Sequence, residues 1–76
     1  MRDAPLARRL LAGMSRDGIA SLGCDELVYA LRSVEPPFLD DATMHRLDAL
    51  DRPTLQRLVY LAQRCCRNLG YGRPAQ

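Results

Sequence analysis

Arg57, Tyr60, Arg64 and Arg67 follow one another at spacings of three, four and three residues in the stretch "DRPTLQRLVYLAQRCCRN", residues 51–68. On a helix of 3.6 residues per turn that spacing gathers them on one side, opposite a stripe of Leu55, Leu58, Val59, Ala62, Cys66 and Leu69. A guanidinium is a planar cation that forks onto carboxylate or phosphate. A tyrosine set among such cations adds a π face for cation–π contact or for stacking on a base. The chemistry is therefore recognition of anions, on an acidic protein surface or on a nucleic acid. The same pattern also suits a solvated helix face whose arginine stems lie along the helix with their charges in water. Eleven basic against nine acidic residues leave a formal charge of +2, small for a nucleic-acid binder, which places a protein partner ahead. All eleven basic residues are arginine, a choice that coding bias explains most simply.

A second group of chemically capable residues lies in "SRDGIASLGCDE", residues 15–26. Asp17 and Glu26 stand at the third and twelfth positions of a twelve-residue stretch, with Leu22 on its eighth. Apolar residues flank it, Leu10, Leu11 and Met14 before and Leu27, Ala30, Leu31 and Val34 after. Over residues 10–34 the chain resembles a degenerate EF-hand, and the resemblance implies two helices joined with their apolar faces together. It does not imply calcium binding. That ion takes six to eight oxygen ligands and needs a glycine at the sixth loop position. Here Ser15 replaces the first carboxylate, Ile19 offers no side-chain oxygen and Ala20 stands where the glycine belongs. A paired second loop would begin near Asp51, but "RPTLQRLVYLAQ" contains no acidic residue. The stretch reads as a connector, with Leu22 inward, Asp25 and Glu26 starting a helix, and Ser15 and Asp17 facing water.

The remaining candidates are thinner. "DRPTLQRL", residues 51–58, resembles the start of a recognition helix in helix-turn-helix proteins, although the turn of three to four residues that separates the helices in that motif is nearly absent here. His45 is the one histidine and forms no HxxxH, and Cys24 and Cys65 form no CxxC, so no metal or other cofactor is expected. Asp40 and Asp41 are adjacent, which suits helix capping more than paired acid and base roles, and no enzyme is expected. Three cysteines, two of them neighbours, do not make a disulfide framework.

The elements that must position these residues are helices. Punctuation by Pro and Gly divides the 76 residues into a compact all-α bundle of about four short helices, at approximately 5–14, 24–34, 41–50 and 52–68. A single helical domain is expected over 1–70, with 71–76 as a flexible C-terminal tail. Asp3 is the expected cap of the first helix, whose core face reads as Leu6, Leu10 and Leu11, with Gly13 and Gly18 marking its frayed end. Asp40 or Asp41 caps the third helix, which offers Met44, Leu47 and Leu50, and Asp51 caps the fourth, which stops at Asn68 and Gly70. The opening "MRDAPLARRLLAGMSRDG" places Arg8 and Arg9 where an export signal would be apolar, so it reads as the first helix and the protein as cytoplasmic.

Together these features predict a small cytoplasmic protein-interaction module, a regulator or adaptor working through a protein partner. A homodimer is compatible with 47% apolar residues in so short a chain. Tyr29 and Leu61, which fall off the core stripes, are the expected apolar contact or dimer surface. The alternatives are a DNA-binding regulator using the basic face of the last helix, or an EF-hand-like protein. No apolar run reaches the roughly 18 residues of a membrane span, and no membrane partner is expected.

Overall fold

Three of the helices start where a side-chain oxygen accepts one of the first free N–H groups. The computed structural model describes residues 4–71, with side chains from Pro5 onward. Asp3, and residues 72–76 of the expected tail, lie outside the described residues. Five α-helices and one 3₁₀ turn follow in order: α1 Ala4–Gly13, α2 Arg16–Ala20, α3 Cys24–Val34, α4 Asp41–His45, the 3₁₀ turn Leu47–Ala49, and α5 Arg52–Asn68. No strand occurs among the described residues. The Asp51 carboxylate accepts the Thr54 N–H at 3.2 Å and that of Asp40 accepts the Thr43 N–H at 2.8 Å. At α3 the Glu26 carboxylate reaches back to accept the Gly23 N–H at 3.0 Å.

Two expected boundaries change. Gly18, expected at the frayed end of the first helix, sits inside a separate helical turn, α2, whose cap Ser15 accepts the Gly18 N–H through Oγ at 3.0 Å. The expected helix 41–50 is instead α4 followed by the 3₁₀ turn, broken at Arg46, whose N–H bonds to the Thr43 carbonyl. The reason is periodicity. Met44, Leu47 and Leu50 recur every third residue, the 3.0-residue period of a 3₁₀ turn, and the tighter winding buries Leu47 completely.

α1, α3 and α5 pack pairwise, α2 lies on α5, and the 3₁₀ turn lies on α3. Their shared core holds Leu11 and Ala12 from α1, Ile19 from α2, Leu27, Val28, Leu31 and Val34 from α3, Leu47, and Leu55, Val59, Ala62 and Cys66 from α5. Burying each large apolar side chain stabilises the fold by about 1.5–3 kcal/mol relative to exposure. Leu22 packs partly buried against this core, Asp25 and Glu26 begin α3, and Ser15 and Asp17 are exposed.

The face of α1 is not the expected one. Leu6 is 55% and Leu10 63% exposed, and the packed side runs through Ala7, Leu11 and Met14, with Ala12 also buried. This rotation turns the last carbonyls of α1 toward α5, which supplies their donors. It also brings Arg8 to the end of α3, where its Nε donates to the Val34 carbonyl at 2.9 Å. There α3 stops with Glu35 in the left-handed region at φ 51°, since the ring of Pro36 disfavours a further helical residue before it.

α5 closes in a Schellman motif, with the Tyr71 N–H on the Cys66 carbonyl, the Gly70 N–H on the Arg67 carbonyl, and Gly70 at φ +97°, a conformation that glycine adopts without cost. Leu69, expected on the core stripe, stands past the last helical residue and is 64% exposed. Tyr71 packs partly buried against the core in its stead.

Candidate functional site

One side of α5 is a row of donors. Arg52, Gln56, Tyr60, Gln63 and Arg67 recur at spacings of four, four, three and four residues and flank the apolar stripe. Every one donates to a backbone carbonyl between Leu11 and Ala20. Arg52 Nη2 and Gln56 Nε2 reach the Ala20 carbonyl at 2.7 and 3.4 Å, and Tyr60 Oη reaches that of Arg16 at 3.3 Å. Gln63 Nε2 donates to Leu11 and Met14 at 2.9 and 2.7 Å. Arg67 donates through Nε to Ala12 at 2.8 Å and through Nη2 to Met14 at 3.3 Å.

The carbonyls at the ends of α1 and α2 carry the negative pole of each helix, so cationic and amide donors suit them. Gln63 is 5% exposed and is the one buried polar side chain among the described residues. No buried side-chain nitrogen or oxygen among the described residues lacks a partner.

This seam divides the expected basic face. Arg67 caps α1 while remaining exposed, and Tyr60 is half-buried with the Arg16 guanidinium 5.4 Å from its ring centre. Arg57 and Arg64 remain exposed on the outer side of α5 beside Leu61, which is 45% exposed. These residues line a groove of about 490 Å³ along α5, bounded by Arg16, Pro53, Gln56, Arg57, Tyr60, Leu61, Gln63, Arg64 and Arg67. Arg16, Arg57, Arg64 and Arg67 have no carboxylate ion-pair partner among the described residues, where the ion pair present joins Arg32 to Asp48 at 3.1 Å.

Arg16 was not among the residues singled out from the sequence, nor were Gln56 and Gln63. A signal was present: the flank of the apolar stripe carries guanidinium, amide and phenol donors at helical spacing and no acid.

Tyr29 is brought elsewhere. It is 74% exposed and lines a second, smaller depression of about 360 Å³ with Met14, Leu22, Asp25, Glu26 and Ala30. The α1–α2 connector contributes Met14 to this depression and the start of α2 contributes Arg16 to the basic groove, so Tyr29 and Leu61 line different depressions.

The other candidates remain apart. His45 and Cys24 are exposed and Cys65 is half-buried. Among the described residues no three His, Cys, Asp or Glu side chains are grouped to hold a metal ion. Asp40 caps α4, and Thr43, through its side chain and then its N–H, holds that carboxyl below the usual range. Thr54 does the same for Asp51. Burial pushes the Cys66 thiol up. No helix among the described residues is long and apolar enough to cross a membrane. Comparison with protein-family models, with curated proteins and with solved structures finds no significant match to the chain.

Proposed function

We propose that the protein is a small interaction module that takes an acidic, partly apolar segment of a protein partner into the groove along α5. The observation that carries this reading is the convergence of four unneutralised guanidiniums, Arg16, Arg57, Arg64 and Arg67, around a single groove. Leu61 and Pro53 add apolar surface within it, so an occupant with carboxylates and an apolar side chain is complementary. Arg57 and Arg64 supply the charge that is free to pair. Tyr60, bonded through its hydroxyl to the Arg16 carbonyl, and the Arg16 guanidinium over its ring form one wall. Tyr60 supports a protein over a nucleic-acid partner, because its hydroxyl is bonded to α2 and Arg16 lies over its ring. The reading requires no cofactor and no bond chemistry.

The test is fluorescence anisotropy with a labelled peptide of alternating Glu and Leu. Binding that weakens as salt rises, and falls about tenfold or more in R57E/R64E with an unchanged melting temperature, supports the reading. Equal binding by the variant overturns it. Random duplex DNA in the same assay, bound more tightly than the peptide, would move the assignment to nucleic acid.

A further inference from the structure

The second depression has the opposite character to the groove. Asp25 and Glu26 stand on its rim, Met14, Leu22 and Ala30 give it an apolar floor, and Tyr29 projects from it at 74% exposure. Neither acid has an ion-pair partner among the described residues, and the Asp25 carboxylate accepts no hydrogen bond there, whereas that of Glu26 accepts the Gly23 N–H. One molecule thus presents an unneutralised basic groove on α5 and, across the α1–α2 connector, an unneutralised acidic edge bearing an exposed aromatic side chain. We propose that the acidic edge of one copy of this chain docks in the basic groove of a second copy, with Asp25 against Arg57 and Arg64 and Tyr29 against Leu61 and Pro53.

This inference rests on the reading of the groove as an acceptor of acidic protein segments, and names a second copy as one such segment. Because edge and groove are different surfaces, the contact either closes as a two-fold pair, the edge of each copy in the groove of the other, or runs head to tail into rings or filaments. A single edge in a single groove belongs to the weak class of contacts, below about 1,200 Å² of total buried area. Its charge complementarity makes it sensitive to salt.

Sedimentation velocity over a range of concentrations, with two variants, tests this. R57E/R64E removes the groove and keeps the edge. Asp25→Arg with Tyr29→Ser removes the edge and keeps the groove. All four positions are exposed, so both variants should keep the native circular dichroism and melting temperature. Expected are wild-type sedimentation coefficients that rise with concentration and fall with added salt, two variants that are each monomeric alone, and a dimer when they are mixed, since one intact edge then meets one intact groove. A wild type that stays monomeric, a variant that self-associates alone, or a mixture that stays monomeric overturns the proposal. The Glu–Leu peptide, titrated in parallel, separates the two failures. A monomeric wild type that binds it sinks the self-association alone, and one that does not sinks the groove's proposed function as well.

Discussion

Gln63 holds two carbonyls of the α1 end from inside the core, at 2.9 and 2.7 Å, so its amide acts through donors that no apolar residue replaces. Gln63→Leu should cost about 1 kcal/mol in urea denaturation. Gln63→Glu should cost more at neutral pH, because a buried carboxylate would then face two carbonyl oxygens, and acid should relieve part of that loss. A loss in Gln63→Glu that does not depend on pH would contradict this geometry. The wild type has its own acid dependence. Asp40 and Asp51 are held below the usual carboxylate range by Thr43 and Thr54, so the unfolded chain takes up their protons first as pH falls. Their contribution is complete above the ordinary Asp pKa and is lost as pH drops through the lowered folded values, visible as a falling melting temperature in a pH series. Thiol labelling separates the cysteines. Exposed Cys24 should react readily, while Cys66, buried and with its thiol pushed up, should react only on unfolding.

At the scale of elements, α3 and α5 were legible because each carries a start signal, a stop signal and one dominant apolar stripe. α1 was not. Its leucines at 6, 10 and 11 and its alanines at 7 and 12 allow two neighbouring stripes, and the choice between them is made by contacts from α5 and α3 that lie far off in sequence. Leu10→Glu should therefore stay within about 0.5 kcal/mol of wild type, whereas Leu11→Ala should cost about 2–5 kcal/mol. The reverse ranking in thermal or urea unfolding would reinstate the Leu6–Leu10 face. α2 is not legible as a helix because five residues containing a glycine give little helical pattern, and its stability comes from the Ser15 cap and from donors on α5. Ser15→Ala should lower stability by about 1 kcal/mol. The 3₁₀ turn was present in the sequence as the three-residue spacing of Met44, Leu47 and Leu50, which resembles a helical stripe when read at 3.6 residues per turn.

Across the whole molecule two groups of arginines among the described residues differ in what they touch. Arg8, Arg52 and Arg67 donate to carbonyls at the ends of α3, α2 and α1 respectively, and hold helices that are distant in sequence. Arg57 and Arg64 touch no carbonyl and face the groove. Sequence periodicity placed Arg57, Tyr60, Arg64 and Arg67 together on α5. It could not show that Tyr60 and Arg67 are tied to the α1–α2 segment, or that Arg16 joins the groove from the other side, because both facts depend on how that segment lies across α5. Arg67→Lys should destabilise the fold, since one ammonium does not reproduce a guanidinium fork on Ala12 and Met14, while Arg57→Lys should leave stability unchanged. The groove's role is tested most directly by amide chemical shifts of the labelled protein during addition of the unlabelled Glu–Leu peptide. Saturable shifts gathered at Arg16, Arg57, Tyr60, Leu61 and Arg64 are expected, while shifts centred on Leu22 to Tyr29, or none at all, would contradict it.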